Sequence, residues 1–214
     1  MTVSFMPCCR KCSALMERIR LSVTFFVLSI CVLLLASMSV RAEGIAIKLV
    51  GFSAVNTGYE VTVDSEITLN PTLEQVLEKG VVLYFVTKFS LIDSRWYWLS
   101  DEVARGKMRV GLRYYALTRQ FILNYPSQSQ SFNTLAEALQ ALGQLRDFPL
   151  TVKSELRTDV DYLASLRIWL DLTRMPKPLQ VEALGSSKWD FSSEKLEWQM
   201  KLPAPGQPFQ IKAH

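Results

Sequence analysis

The chain has 214 residues, 49% of them hydrophobic, and its 24 Lys and Arg outnumber its 20 Asp and Glu to give a formal net charge of +4. Five of the basic residues and one of the acidic residues lie in the first 42 positions, which leaves 19 of each sign in the remainder. A neutral remainder has no general attraction for nucleic acid, so we expect no nucleic-acid partner.

The N-terminal segment has the pattern of an export signal. Residues 21–40, which begin with Leu21 and end with Val40, carry no charge, and Arg18 and Arg20 precede them. An A-x-A-like site follows, which predicts a signal peptide over residues 1–42 and cleavage after Ala42. The alternative is an uncleaved helix that anchors the protein in the inner membrane, because this run is long enough to span a bilayer.

The predicted signal also contains a second methionine and every cysteine of the chain. Met16 begins a normal signal sequence, so residues 1–15 are either an over-extended start or a long basic region. The exported part is expected to have no disulfide and to rely on an ordinary hydrophobic core. A zinc site is not predicted, because no further Cys or His follows the cysteine cluster nearby. The cysteines are Cys8, Cys9, Cys12 and Cys31.

Alternating apolar and polar residues predict a hairpin at the start of the exported part. The runs 45–52 and 59–69 flank the turn residues Asn56-Thr57-Gly58,. A short helix follows, in which Asn70 is the cap, Pro71 is the first helical residue and Gly80 ends the helix,.

Residues 81–125 are predicted to form a meander of long strands, because they are rich in β-branched and aromatic residues,. Arg105-Gly106 separates two runs, and glycine permits the positive φ of a tight turn. Residues 107–116 then alternate with one polar face, which is typical of an antiparallel sheet. The run 120–125 stops at Pro126, which cannot donate a hydrogen bond to a ladder.

The second half of the exported part is expected to mix loops, one helix and short strands. Residues 126–131 form a Ser/Gln-rich loop that is predicted to be mobile,. Thr134 and Glu137 have the spacing of a capping box for a second helix. Strands are predicted over 150–156, 164–173 and 196–202, with a break at Asp147-Phe148-Pro149,.

These elements predict a mainly β fold that is preceded by an N-terminal signal or transmembrane helix. We expect one antiparallel β-sandwich with two short helices over residues 43–203, either Ig-like or a partly closed barrel. Residues 204–214 are predicted to be a flexible tail, since proline and glycine are frequent there,.

Few catalytic signatures are present. The single histidine of the chain, His214, is its last residue, which argues against a Ser-His-Asp triad and against histidine metal sites,. No cofactor, metal site or phosphate-binding glycine loop is expected. A carboxylate-dependent hydrolase using Asp93 with Asp101 or Glu102 stays an alternative. A turn and a solvated strand end explain these acids more simply.

The most conspicuous local feature is the run Arg95-Trp96-Tyr97-Trp98. In a strand, its two tryptophans share one face and the tyrosine lies on the other, so both faces carry aromatic rings. The functional interpretation is a platform for a partner, a carbohydrate or a lipid. The structural interpretation, which we favour, is one core face and one covered face. Arg109, Arg113 and Arg119 form either a basic stripe or ordinary cross-strand pairs.

Three stretches of the chain are informative when taken together. They are Asp93-Ser94-Arg95-Trp96-Tyr97-Trp98, the decapeptide at 112–121, and the nonapeptide at 176–184 before Trp189-Asp190-Phe191. In combination they resemble DUF4390, an uncharacterised family of exported bacterial proteins, over nearly all of residues 43–203. No activity is established for the family, so the resemblance implies no catalytic residue. Its genes often neighbour one for a membrane sensor kinase of the nitrogen-regulation type, which implies a periplasmic accessory or sensing role.

The sequence and the resemblance together predict a non-enzymatic periplasmic protein that binds an envelope partner such as a membrane sensor kinase. The alternative is a carbohydrate- or lipid-binding module. Contact with the membrane is expected only through residues 21–40, if they are not cleaved. The predicted contact residues are Arg95, Trp96, Tyr97, Trp98, Arg113, Tyr115 and Arg119.

Overall fold

The computed structural model describes residues 43–55, 58–93, 101–153, 156–158, 160–203 and 209–212. The chain divides between Arg41 and Ala42, and the described fold belongs to the second unit. The predicted signal, the aromatic run at 95–98 and His214 lie outside the described residues. Over the ranges just given, no helix has the length and apolar character that crossing a bilayer requires.

Eleven strands account for most of the described residues. They are β1 (Gly44–Val55), β2 (Gly58–Thr68), β3 (Leu83–Asp93), β4 (Asp101–Tyr115), β5 (Gln120–Asn124), β6 (Ser129–Phe132), β7 (Gln144–Pro149), β8 (Thr151–Val152), β9 (Asp161–Leu170), β10 (Leu196–Lys201) and β11 (Phe209–Lys212). One sheet has the order β11-β1-β2-β7, and the other has the order β10-β9-β3-β4-β5-β6 with β8 beside β4. The prediction of a mainly β, antiparallel fold is confirmed, and the two sheets do not close into a barrel.

The hydrophobic core lies between the two sheets. Phe52 of the four-stranded sheet meets Phe89 of the seven-stranded sheet with ring centroids 6.0 Å apart. Trp198 of β10 packs on the same Phe89 ring at 6.1 Å. Burial of such large apolar side chains is the main favourable term in folding, at roughly 25 cal/mol per Å².

β1 is longer than predicted and contains an irregularity between Ile47 and Leu49. An extra residue in one strand reverses which alternate residues face the core. Ile45 is buried before this point, whereas Val50 and Phe52 are buried after it. Strict alternation from Ile45 would place Leu49 inward, and the bulge explains why it is only half-buried.

The two predicted helices are present, and the described residues contain a third. In α1 (Pro71–Glu78), the Asn70 side chain accepts a hydrogen bond from the Leu73 amide at 2.9 Å. In α2 (Leu135–Gly143), Thr134 and Glu137 form the expected capping box. α3 (Lys177–Ala183) is not among the predicted elements; it begins with Pro176 as its N-cap and a second proline in its first turn, where proline is well tolerated,.

The prediction of a turn at Arg105-Gly106 is wrong. β4 continues through both residues and pairs with β3 along its length. A Cβ atom on Gly106 would lie 2.8 Å from side-chain atoms of Phe148 and of Leu150. Glycine is therefore explained by the close approach of these two side chains to the sheet, and no turn is needed.

Three segments predicted as irregular contribute strands. The second half of the predicted loop at 126–131 begins β6, which pairs with β5. β7 spans the predicted break at Asp147-Phe148-Pro149 and pairs with β2. In the predicted tail, Phe209 and Ile211 are half-buried while Gln210 and Lys212 are exposed, and this segment pairs with β1 as an edge strand. β6 gains its backbone hydrogen bonds from the preceding strand, whereas β7 and β11 gain theirs from strands that are distant in sequence,.

Candidate functional site

The candidate site lies on the outer face, defined here as the side of the seven-stranded sheet that points away from the four-stranded sheet. Side chains alternate between the two sides of a strand. On β3, Phe85, Phe89 and Leu91 point into the core. Lys88 and Ser90, between them, therefore belong to the outer face.

Three cations form a row across the centre of this face. In the register of the sheet, Lys88 of β3 is directly opposite Arg167 of β9 on one side and Lys107 of β4 on the other. All three residues are exposed. Like charges in directly opposite positions of neighbouring strands destabilise a sheet. We call Arg167, Lys88 and Lys107 the cationic row.

The charge of Lys88 acts on the nearby Glu102, but Glu102 accepts its described hydrogen bond from Lys153 and not from a member of the row. Within the described part of the chain, none of its three members takes part in a salt bridge. Arg167 instead donates a hydrogen bond to the neutral Ser192 Oγ at 3.2 Å. The row therefore leaves positive charge exposed on the outer face.

Two arginines of the same face do have acidic partners. Arg109 Nη2 lies 2.9 Å from Asp171 Oδ2, and Arg105 Nε lies 3.9 Å from Glu102 Oε1. Burial raises the pKa of Asp171, but hydrogen bonds from Thr173 and the Arg109 charge outweigh burial and hold the pKa below its ordinary value. Asp171 thus holds the segment that follows β9 against β4, and this structural role explains why an acidic residue is present there.

A cavity of about 700 Å³ runs over the outer face beside the cationic row. Its floor is formed by outward residues of β3 and β9, and residues 183–195 contribute one wall. Ser90 and Ser165 lie in the floor with their hydroxyl oxygens 2.8 Å apart. Cationic and hydroxyl groups together form a surface that can bind carboxylate, phosphate or sulfate oxygens.

The three acids of the hydrolase alternative do not line one cavity together. Asp93 is buried at the end of β3, while Asp101 is exposed opposite it in β4. Glu102 alone among them lines the cavity, and it accepts a hydrogen bond from Lys153 Nζ at 2.8 Å. This bond and the charges of Lys153, Lys88 and Arg105 lower the pKa of Glu102 against the opposing effect of burial. A general acid would need a raised pKa.

Three of the predicted contact residues lie together at the end of the β4–β5 hairpin. The Arg113 guanidinium lies 5.7 Å from the centroid of the Tyr115 ring, and both residues belong to the outer face. Arg119 ends the turn with φ of 55°. Leu117, which lies between Tyr115 and Arg119 in the sequence, is 84% exposed. The other predicted contacts, at 95–98, lie outside the described residues, so the predicted platform stays a prediction.

The predicted basic stripe is only partly realised. Arg109 and Arg113 share the outer face, but Arg109 pairs with Asp171, and Arg119 belongs to a turn. The cationic row was missed because Lys88 and Arg167 meet only through the pairing of β3 with β9. Alternation with apolar neighbours is consistent with an outward position for each of them, but nothing local in the sequence indicates that they are neighbours,.

Among the described residues, no cluster of three or more His, Cys, Asp or Glu could hold a metal ion.

A family model described as "Domain of unknown function (DUF4390)" matches residues 42–199, which include the whole cationic row. No curated protein and no solved structure matches the chain.

Proposed function

Since the chain belongs to DUF4390, a family described only as a domain of unknown function, we propose its function from the chemistry of the outer face. The protein is a non-enzymatic binding module of the periplasm. Its outer face captures an acidic segment of an envelope protein, such as the extracytoplasmic part of a membrane sensor kinase. The carrying observation is the cationic row, which places three like charges in direct register, none of them in a salt bridge among the described residues.

Electrostatics support an acidic partner. A desolvated carboxylate that bridges two cations forms charge-assisted hydrogen bonds, which are stronger than neutral ones. The same contact relieves the repulsion between Lys88 and its neighbours, so binding and sheet stability improve together. Arg113 and Tyr115 extend the cationic surface toward the hairpin end and are expected to contact the same partner.

Export is part of this proposal, because an envelope partner requires it. The uncharged run at 21–40 and the site at Ala42 favour a cleaved signal,. Mass spectrometry of the protein from a periplasmic extract is expected to show Glu43 as the first residue. Recovery of an uncleaved chain in the membrane fraction would instead show that residues 21–40 act as an anchor.

In-cell photo-crosslinking tests the proposed binding. A photoreactive amino acid is placed at Ile92, which lines the cavity, at Tyr115 on the hairpin, or at Lys79 at the end of α1 as a control. We expect Ile92 and Tyr115 to capture one envelope protein, and Lys79 to capture none. The peptide attached to Ile92 is expected to be rich in Asp and Glu when mapped by mass spectrometry.

Charge reversal separates this proposal from a nonspecific contact. Lys88→Glu with Arg167→Glu is expected to abolish the adduct at Ile92, whereas Lys79→Glu with Lys212→Glu, at exposed positions away from the row, is expected to preserve it. An adduct that survives the first pair, or one formed on a segment without acids, contradicts the proposal. A glycan or lipid adduct would favour the alternative module.

A further inference from the structure

We propose that the cavity on the outer face binds an extended peptide in which a large apolar residue and an acidic residue are two positions apart. This inference rests on the proposed function and names the chemistry of the partner segment. It is carried by the order in which the cavity presents apolar, cationic and hydroxyl groups.

That order follows from the strand register. Successive outward positions of β3 and β9 pair Val86 with Trp169, Lys88 with Arg167, and Ser90 with Ser165. Each step is two residues along a strand, which is about 6.8 Å in an antiparallel sheet. An extended peptide advances by the same distance every two residues, and successive groups can therefore meet residues of the peptide that lie on one side.

One end of the cavity is apolar. Trp169, Leu172 and Ala183 line it there, and each of the three side chains is half-buried. Such partly exposed apolar side chains gain free energy when another apolar group covers them. A Leu, Phe or Met side chain of the peptide has a suitable size and chemistry for this end.

The next step along the cavity is cationic. Lys88 and Arg167 lie one pair beyond Trp169 and are exposed. An acidic side chain two positions from the apolar one would reach them. The hydroxyl pair of Ser90 and Ser165 lies one further step along, where it can bond to a polar side chain or to the peptide backbone,.

The length of the cavity also favours a peptide over a single small anion. Its lining extends from Trp169 to Ile92, which spans three steps of the register and therefore about 20 Å,. That distance accommodates about six residues of extended chain. One phosphate or carboxylate group would occupy only the central step.

Selection from a random octapeptide library on the immobilised full-length chain tests the spacing. We expect enriched peptides to carry Asp or Glu with Leu, Phe or Met two positions away on one consistent side. Enrichment of acidic peptides without this spacing overturns the inference and leaves the proposed function standing. Enrichment of peptides without acids, or no enrichment at all, overturns both.

Fluorescence anisotropy with the most enriched peptide then assigns each group to its place in the cavity. Replacing the acidic residue of the peptide by Ser is expected to weaken binding at least tenfold, and replacing its apolar residue by Ser at least fivefold. In the protein, Lys88→Gln with Arg167→Gln is expected to weaken binding as much as replacing the acidic residue of the peptide does. Leu172→Ser is expected to weaken binding as much as replacing the apolar residue of the peptide does. The peptide variants keep the test valid even if a protein variant folds poorly.

Matched controls are available in the chain. Lys79→Gln with Lys212→Gln removes two exposed cations elsewhere, and Leu117→Ser removes an exposed apolar residue outside the cavity. Neither control is expected to change peptide affinity by more than twofold. Equal effects of the Leu117 and Leu172 substitutions, or binding that does not depend on the apolar residue of the peptide, would overturn the proposed spacing.

Discussion

β3 presents two different surfaces, although the same eleven residues build both. On its inner side, Phe85, Phe89 and Leu91 are at most 2% exposed, and Phe89 packs against Phe52 of the four-stranded sheet and Trp198 of β10. On its outer side, Lys88 lies exposed between Arg167 and Lys107. The inner neighbours stabilise one another, whereas the three cations at the centre of the outer side repel.

Burial explains the residue types on the inner side of β3, but it does not explain the cationic row on the outer side. Phe85, Phe89 and Leu91 gain from burial on the inner side, and their residue type follows from that gain,. The like charges of the cationic row are expected to lower the stability of the sheet, so packing gives no reason for them. Natural sequences depart from local rules mainly at functional sites, and we interpret the row in this way.

Substitution on the inner side is expected to give the largest change in stability. Phe89→Ala removes a fully buried ring that contacts Phe52 and Trp198. We expect the free energy of unfolding to fall by about 3–5 kcal/mol, through lost transfer energy and the remaining cavity. Urea denaturation measures this change. Lys88→Ala, one residue away on the outer side, is the matched control, and an equal loss there would contradict the contrast between the faces.

The ion pair at the edge of the outer face should have the next largest effect. Asp171→Asn removes the carboxylate that pairs with Arg109 and accepts hydrogen bonds from Thr173. We expect a loss of about 1–3 kcal/mol, because the partly buried Arg109 keeps its charge without a counterion. A loss below measurement error would show that this pair does not hold the segment after β9.

Acid should remove the contribution of Asp171. Its pKa in the folded protein is lowered, so its stabilisation is complete above the unfolded pKa near 4 and is lost as the pH falls through the folded pKa,. The stability difference between the parent and Asp171→Asn should be constant above about pH 5 and shrink below about pH 4. A difference that grows in acid would mean that the pKa shift has the opposite sign.

The hydroxyl pair on the cavity floor should have a smaller effect. Ser90→Ala or Ser165→Ala leaves one buried hydroxyl without its 2.8 Å partner. Each single change is expected to cost about 1 kcal/mol, and the double change less than the sum of the two. A double-mutant cycle in urea measures the coupling. Additive losses would show that the two hydroxyls act independently.

Neutralising the cationic row should produce the smallest change, with the opposite sign. Lys88→Gln removes the central charge between Arg167 and Lys107. We expect the free energy of unfolding to rise by about 0.2–1 kcal/mol, and the rise to shrink in high salt because salt screens exposed charges. A clear loss of stability would mean that Lys88 has a structural role on the outer face.

Local features of the fold were predictable from the sequence. The caps of α1 and α2 depend on residues within one helical turn, and both predictions are confirmed. The strongly alternating β2 is confirmed as well. Gly106 misled the prediction because the reason for glycine there is Phe148, which lies on a distant strand.

The candidate site was only partly predictable for the same physical reason. Lys88 and Arg167 are almost eighty positions apart in the sequence, and only the insertion of β9 beside β3 makes them neighbours. Arg113 and Tyr115 are close in sequence, and the hairpin keeps them close in space. A sequence pattern can indicate that a position faces outward, but the register of distant strands decides which charges meet.

Photo-crosslinking from Ile92 in intact cells, with and without Lys88→Gln and Arg167→Gln, tests most directly whether the cationic row binds an acidic partner. We expect loss of the envelope-protein adduct in the double variant, with a urea midpoint equal to or above that of the parent. An undiminished adduct, in a variant that is equally folded and abundant, would show that the row does not bind the partner.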